Sequence, residues 1–184
     1  RFRFTLGSDN YNSDEGFAFD DMWIGERNRL VLLEHFANSN NEEFLNTQSV
    51  INTIYNNNKQ DVIPIQYFTS FPTQNEISSF YTAGPSARSL YYGISKSPYS
   101  VVDGGDRKFS YTSTNSLEAT DINRRMLEEA MFEVDVNQGI DGNKLNIQTT
   151  TKAIDNINTE KLGVRIVVVE KSVDTYKNVI RTML

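Results

Sequence analysis

The sequence of 184 residues has no cysteine and a single histidine, His35. Without cysteine the chain can form no disulfide, offer no thiolate nucleophile and bind no iron–sulfur cluster or cysteine-ligated zinc ion. A single histidine also excludes a site built from several histidines and any mechanism that needs two of them. These absences remove most catalytic chemistries, and the sequence predicts neither a metal ion nor another cofactor.

The sequence also lacks an excess of basic residues and a long apolar run. Acidic residues outnumber basic ones by 24 to 18, which gives a formal charge of −6. A nucleic-acid-binding surface needs a basic stripe to neutralise phosphates, so this balance argues against a nucleic-acid partner. No apolar run approaches the roughly 20 residues of a membrane-spanning helix, so we expect no transmembrane segment. With 38% hydrophobic residues, the chain can still bury a core.

Alternating apolar and polar residues predict two strands near the start of the sequence, at residues 1–6 and 17–24. The loop between them carries four side chains with the spacing of an EF-hand calcium loop: Asn10, Asn12, Asp14 and Asp21. Glu15 stands where that loop needs a glycine, so an ordinary polar turn remains the alternative to calcium binding. Because both ends of the sequence fall within regular patterns, we expect the chain to be part of a longer polypeptide.

From Leu30 onward the pattern predicts an α/β domain. Strands are expected at residues 30–36 and 61–68, helices at 42–55, 75–93 and 114–131, and a hairpin at 97–111. The two strands joined by a helix should be parallel, and the hairpin adds an antiparallel pair. Pro64 cannot donate a ladder hydrogen bond and places the second strand at a sheet edge. Gly84 and Pro85 should interrupt the second helix.

Alternation returns after residue 131. Apolar residues alternate with polar ones around residues 132–136, 145–147 and 163–171, with a turn at 139–143. These strands predict a second, β-sandwich-like domain that begins at residue 132.

Several segments resemble the thioredoxin-like outer-membrane and secreted proteins of Bacteroidota, at residues 32–39, 63–67, 92–94 and 167–171. Residues 16–24 resemble the last strand of the jelly-roll (concanavalin- or MAM-like) domains that precede such modules. The resemblance implies an α/β fold, a thioredoxin-like core of order β-α-β-α-β-β-α, flanked by partial all-β domains. The jelly-roll strands and a linker would occupy residues 1–27, the thioredoxin-like domain 28–131 and the β-domain 132–184.

The redox Cys-x-x-Cys motif of this family would fall on residues 41–44. Asn41 and Phe44 stand at the two cysteine positions, so disulfide exchange is chemically impossible. The resemblance also implies that Pro98 follows a cis peptide bond and faces the lost thiols, where redox members hold extended substrates. Asn41, Phe44 and Pro98 therefore mark a degenerate redox site and a candidate interaction groove, and the alternative is that they only shape the fold.

Other residues have both a functional and a structural interpretation. Glu34 and His35 could form a base and its orienting partner, but neighbours on a strand point to opposite faces. Asp103 beside two glycines indicates turn chemistry. Four tyrosines near the groove indicate either a partner-binding surface or ordinary packing: Tyr81, Tyr91, Tyr92 and Tyr99.

The sequence thus predicts a non-enzymatic cell-surface or secreted protein whose degenerate thioredoxin-like module scaffolds or binds another protein. As implied by the resemblance, it would be a subunit of, or cargo for, an outer-membrane type IX secretion complex, with an outer-membrane or cell-surface protein as partner. The alternative is a glycan-binding adhesin in which an upstream jelly-roll lectin domain binds glycan with calcium and this region is a spacer. An enzyme would need catalytic residues outside this sequence.

Overall fold

A computed structural model describes residues 5, 11, 27–74, 81, 83–154, 156 and 162–184. The strands predicted at residues 1–6 and 17–24 lie, apart from Thr5, outside the described residues. The described part of the chain contains three helices and eight strands in the order β1 (Val31–Ala37), α1 (Phe44–Asn57), β2 (Val62–Phe68), α2 (Ala83–Tyr92), β3 (Tyr99–Val102), β4 (Arg107–Phe109), α3 (Ala119–Met126), β5 (Phe132–Asp141), β6 (Lys144–Ala153), β7 (Val167–Val173) and β8 (Tyr176–Met183).

Six of these strands form the main sheet, in the order β4–β3–β1–β2–β8–β7. β1 and β2 are parallel, with α1 between them in sequence, and β3 pairs antiparallel with the other side of β1. Six of the seven residues of β1 are buried, as expected for a strand that has helices on both faces. The predicted α/β class and the predicted order of strands and helices up to α3 are confirmed.

Helices cover both faces of the main sheet, and the alternation along β1 decides which side chain meets which helix. Leu33 belongs to a hydrophobic cluster that includes residues of α1 and α3. Phe36 belongs to a second cluster, together with Tyr92 of α2. His35 therefore lies on the α1 face of the sheet, and Glu34 lies on the α2 face.

The prediction that Pro64 places β2 at a sheet edge is wrong, because β2 lies between β1 and β8. β8 meets β2 at Gln66, opposite Val179. Within the described residues, the part of β2 around Pro64 therefore pairs with β1 alone, and β8 pairs with β2 two residues further along, at Gln66. Proline is tolerated here because the strand is an edge locally, although it is internal in the order of the sheet.

Two helices differ from their predicted bounds. Within the described residues, Gly84 and Pro85 lie in the first turn of α2 and not at an interruption inside it, and residues 75–80 and 82 of the predicted helix lie outside the described part of the chain. Proline suits a first turn because the first amide groups of a helix have no acceptor within it. α3 covers Ala119–Met126, a shorter span than the predicted 114–131. The Asp121 carboxylate accepts the amide hydrogen of Glu118 at 3.1 Å and fixes the start of α3.

The last four strands form two hairpins with different surroundings. Among the described residues, β5 and β6 pair with each other alone, and none of their residues is buried. β7 and β8 instead join the main sheet, where Val179 and Ile180 of β8 are buried on opposite faces. In the pairing of β7 and β8 the structure therefore differs from the separate β-sandwich-like domain predicted for residues 132–184. The sequence pattern shows that these segments are strands, but it does not show which strand each one pairs with.

Candidate functional site

Three loops meet at the edge of the main sheet where β1 and β2 end, and they comprise residues 38–43, 69–74 and 95–98. Parallel strands end at the same edge of a sheet, and the antiparallel strand β3 begins there. This edge is where α/β sheets commonly bind ligands. It holds Asn41 and Pro98, two of the three candidate groove residues.

Asn38 joins the first two loops. Its side chain is fully buried, and its Nδ2 lies 3.0, 3.0 and 2.6 Å from the carbonyl oxygens of Thr69, Phe71 and Thr73, which share its two hydrogens. Its Oδ1 accepts the amide hydrogen of Asn40 at 2.9 Å. One side chain thus pairs backbone groups that a buried irregular segment would leave unpaired. The sequence indicated only a polar turn at Asn38, because its carbonyl partners lie 31–35 residues along the chain.

Asn41 and Pro98 are brought together by the fold. The Ser97–Pro98 bond is cis, as the family resemblance implied, and Pro98 is buried. Asn41 Nδ2 donates to the carbonyl oxygen of Ser97 at 2.7 Å, and Asn41 Oδ1 accepts the amide hydrogen of Glu43 at 2.8 Å. The carbonyl that precedes the cis proline is therefore already hydrogen-bonded within the chain.

Phe44 directly follows the first of these loops, but its side chain is buried against the last residues of β1 and β2, Ala37 and Phe68. It is the first residue of α1 and only 3% exposed. Its ring centre lies 6.1 Å from that of Phe68 and 5.6 Å from that of Tyr176. Phe44 therefore packs beneath α1 and offers no surface to a partner.

The hydrogen bonds at this edge involve neutral groups. The hydroxyls of Thr69 and Ser97 both donate to the carbonyl of Phe71, at 2.9 and 3.3 Å. The charged residues of the described loops, Glu42, Glu43 and Lys96, are all exposed. Nucleophilic catalysis needs a hydroxyl or thiol beside a base, and these hydroxyls are bound to backbone instead. In the described loops, the hydroxyls of Thr69 and Ser97 thus serve to hold the loops together.

A buried ion pair on the α2 face joins Glu34 to Arg88. Glu34 is fully buried, and Arg88 Nε and Nη2 lie 2.9 and 2.8 Å from its two carboxylate oxygens. The hydroxyls of Tyr67 and Tyr92 donate to the same carboxylate. Burial, together with the Glu34 carboxylate, raises the pKa of both tyrosines. The cluster is a packed structural network.

This network was not predicted, although the sequence carries a signal for it. Burial is the largest single influence on the pKa of Arg88 and acts to lower it, but the charge and hydrogen bonds of Glu34, together with the nearby tyrosines, raise that pKa overall. A carboxylate inside the apolar run of β1 requires a buried partner. Arg88 and Tyr92 lie four residues apart, on one face of α2, which is the spacing at which helical side chains act together.

His35 lies on the opposite face of the sheet from Glu34, so the two do not form an acid–base pair. His35 Nδ1 lies 2.8 Å from Ser100 Oγ, which lies 2.6 Å from the hydroxyl of Tyr111. Burial lowers the pKa of His35 to about 3, against an opposing effect from a hydrogen bond with the Tyr99 backbone. A histidine with such a pKa stays neutral near pH 7 and does not exchange protons there.

Asp103, predicted as a turn residue, also anchors the opposite edge of the sheet. It has a positive φ of 43° in the β3–β4 turn. Its carboxylate accepts hydrogen bonds from Arg29 Nε at 3.1 Å, Arg125 Nε at 2.6 Å and the amide of Leu32 at 2.8 Å. This carboxylate ties the segment before β1 and the helix α3 to the turn, which is a structural role.

The four tyrosines near the groove do not form one surface. Tyr92 is buried, and Tyr81 and Tyr99 pack against the core cluster of the α2 face. Tyr91 is 64% exposed, with its ring centre 5.2 Å from the guanidinium of Arg88. Packing therefore accounts for three of the four.

The β5–β6 hairpin presents an apolar face to solvent. Residues that oppose each other in an antiparallel pair share a face. The register therefore places mostly apolar and threonine side chains, with Gln138 among them, on what we call the apolar face: Phe132, Val134, Val136, Gln138, Ile140, Leu145, Ile147, Thr149, Thr151 and Ala153. Val136 is 58% exposed and Ile140 is 80% exposed. The other, polar face carries the salt bridge between Glu133 and Lys152 at 3.0 Å.

The exposed apolar face is unusual for a two-stranded hairpin. A two-stranded sheet is marginally stable alone in water, and it normally packs its apolar side against another layer. Exposed apolar patches on soluble domains mark interaction surfaces. The alternating sequence predicted the strands, but only the fold shows that the described residues bury none of this face, although Leu145 and Ile147 line an open cavity with Ile166 and Leu184.

No helix in the described ranges is long and apolar enough to cross a membrane. No group of three or more His, Asp or Glu side chains comes together there as a metal site would require. Most of the loop from Asn10 to Asp21 lies outside the described part of the chain, so calcium binding stays a prediction.

Comparison with known proteins gives one likeness. No protein-family model and no curated protein matches the sequence. Among solved structures, HBP35 of Porphyromonas gingivalis, a Bacteroidota protein, is similar with a TM-score of 0.59 at 14% identity. The match covers 88% of this chain and 58% of that chain, so this chain spans less than two thirds of that protein. At this identity the likeness shows a shared fold and nothing more specific.

Proposed function

We propose that this chain is a non-enzymatic protein-interaction module of a cell-surface or secreted protein. The module is a thioredoxin-like core without thiols, followed by an exposed β-hairpin that contacts the partner. The observation that carries the proposal is the apolar face of the β5–β6 hairpin, which none of the other described residues buries.

Three features of the core support the thioredoxin-like part of the proposal. The strands and helices follow the order implied by the family resemblance. Within the sheet, β4–β3–β1–β2 are neighbours, with β3 and β4 antiparallel and β1 parallel to β2. The cis proline before β3 lies beside Asn41, just before α1, where the lost thiols of such a protein would be.

The absence of enzymatic activity is proposed from the residues at the two cysteine positions. Asn41 is engaged with the Ser97 carbonyl, and Phe44 is packed in the core. Disulfide exchange requires an accessible thiolate, which neither residue can supply. Both positions have instead become part of the scaffold.

The proposed partner is another protein that presents an apolar β-sheet face. The apolar face of the hairpin carries no charged side chain, and each of its strands is ten residues long. Sheets pack face to face at about 10 Å through aliphatic side chains, so a ribbon of this kind fits against a second sheet. The charged pair on the polar face stays hydrated in such a complex.

We place this partner in the outer membrane or at the cell surface. The fold shared with a Bacteroidota protein supports this setting. Membership of a type IX secretion complex, as subunit or cargo, is the more specific part of the proposal and follows from the family resemblance of the sequence.

The double variant Val136→Lys/Ile140→Lys tests the proposal. It puts two charges on the apolar face, and the matched control Asn137→Lys/Asn146→Lys puts two charges on the polar face. Tagged full-length chains are recovered from native Bacteroidota envelopes in mild detergent, and co-purified proteins are quantified by mass spectrometry. Thermal unfolding of both purified variants checks that they fold.

We expect the unaltered chain and the control to retain an outer-membrane protein in stoichiometric amount. The apolar-face variant should lose it about tenfold or more, which is a change of about 1.4 kcal/mol in binding. Equal retention by both variants would contradict the role of the hairpin. Absence of a stoichiometric partner from the unaltered chain would contradict the interaction function itself.

A further inference from the structure

We infer that one water molecule is bound inside the fold, on the α1 face of the main sheet, between His35, Gln48 and Gln66. These residues come from β1, α1 and β2, which meet at this point. The site is independent of the proposed partner surface and lies on the far side of β1 from the Glu34–Arg88 pair.

Three buried polar atoms define the site. His35 Nε2, Gln48 Oε1 and Gln66 Nε2 make no hydrogen bond to the described residues. All three side chains line the same small cavity. His35 and Gln66 are opposite each other in the pairing of β1 with β2, and they are 1% and 3% exposed. Buried polar atoms almost always have a hydrogen-bonding partner, so three of them around one cavity point to a molecule that bonds to all three.

The size of the cavity suits one water molecule. The space open to the centre of a water-sized molecule is about 10 Å³, which corresponds to a single site. Buried waters typically make about three hydrogen bonds. Here the water accepts a hydrogen from Gln66 Nε2 and donates its own two hydrogens to Gln48 Oε1 and His35 Nε2.

The chemistry of the lining argues for water against a cation. Gln66 Nε2 is a donor, and a cation offers it no acceptor. The described residues that line the cavity include no carboxylate and include Lys177. Water is the small molecule that can both accept from Gln66 and donate to the other two groups.

This water also fixes the proton on His35. Burial keeps the imidazole neutral, so one ring nitrogen carries a hydrogen and the other does not. If the water donates to Nε2, the hydrogen is on Nδ1 and is donated to Ser100 Oγ, 2.8 Å away. The hydrogen-bonded chain then runs from α1 through the water and His35 to Ser100 and Tyr111.

Solution NMR of the full chain tests the inference. Rotating-frame cross-peaks between water and the side-chain amide of Gln66 report a long-lived bound water, and long-range nitrogen–proton spectra of His35 report which ring nitrogen is protonated. The variant Gln66→Leu removes the donor, and Gln148→Leu on the exposed hairpin is the matched control.

We expect the unaltered chain and Gln148→Leu to show the water cross-peaks and a proton on Nδ1. Gln66→Leu removes the amide itself, so this variant is followed at His35, where the cross-peaks between water and the ring C–H hydrogens should be lost. A folded unaltered chain without water cross-peaks, or with the proton on Nε2, would overturn the inference. If Gln66→Leu does not fold, the spectra of the unaltered chain decide the question alone.

Discussion

The Glu34 carboxylate organises the α2 face of the sheet, since the guanidinium of Arg88 and two tyrosine hydroxyls converge on it. A buried ion pair is not in itself strong evidence for stability, because desolvation offsets much of the attraction between the charges. Removing one partner is different, because it leaves the other charge buried and unpaired. The two side chains are therefore expected to be strongly coupled.

Glu34→Gln or Arg88→Met alone should lower the free energy of unfolding by about 3–5 kcal/mol. The double variant should lose less than the sum of the two single losses, because neither charge is then left unpaired. Urea unfolding of the four proteins measures this coupling. Single losses that add in the double variant would contradict the ion-pair account.

His35 should make stability depend on pH. Between pH 6.5 and about 3 the unfolded chain binds a proton on His35 that the folded chain does not bind. Its contribution is therefore fully present above pH 6.5 and falls as the pH drops, by about 1.4 kcal/mol per pH unit. His35→Gln should remove this part of the pH dependence of stability. The free energies of unfolding of both proteins, measured from pH 7 to pH 4, test this. A constant difference between the two proteins across that range would contradict the prediction.

Phe44 provides a test of core packing against groove function. Phe44→Ala should lower the free energy of unfolding by about 3–5 kcal/mol, because it empties a buried aromatic site. Its neighbour Leu45 is 76% exposed, and Leu45→Ala should change stability by no more than about 0.5 kcal/mol. Chemical denaturation measures the free energy of unfolding of both variants. Equally small losses in the two would contradict the core role of Phe44 and favour a place for it in the candidate groove.

At the scale of elements, local pattern and long-range pairing differ in how far sequence predicts them. The apolar run of β1 and the helical spacing of α1 are local, and both elements were predicted within a few residues. The pairing of Gln66 with Val179 joins distant parts of the chain, and no local period encodes it. The prediction from Pro64 that β2 is an edge strand was wrong for the same reason, because the place of β2 in the sheet depends on where β8 packs.

The candidate site divides in the same way. The cis bond before Pro98 and the position of Asn41 beside it were expected from the family resemblance. The burial of Phe44 and the several carbonyl partners of Asn38 depend on loops and strands distant in sequence. The proximity of Asn41 to Pro98 could therefore be expected from the sequence, whereas the packing decides which of the candidate residues reach the surface; a functional role for them stays a prediction.

The β5–β6 hairpin should be dispensable for folding, whereas β8 should not. Replacing residues 132–153 by a short glycine–serine linker should shift the melting temperature by no more than about 3 °C, since the hairpin buries none of its residues. Ile180→Asn places an amide at a position only 2% exposed and should lower the melting temperature by about 10 °C. Calorimetry compares the two, and a linker variant as unstable as Ile180→Asn would mean that the hairpin belongs to the core.

For the whole molecule, two features underlie the proposed interaction function. Neutral hydrogen bonds hold the loops together at the sheet edge that carries Asn41 and Pro98, while an amphipathic hairpin exposes its apolar side. The chain spans 58% of the solved structure whose fold it shares. The central claim is that a partner protein covers the apolar face and leaves the polar face in water.

Thiol labelling on intact cells tests this claim most directly. Because the sequence has no cysteine, Val136→Cys places a single thiol on the apolar face and Asn137→Cys places one on the polar face. A membrane-impermeant maleimide should label both variants at similar rates in the purified protein. On cells, Asn137→Cys should keep its rate and Val136→Cys should react at least about tenfold more slowly, as expected for a buried interface. Equal labelling of the two thiols on cells would contradict the account.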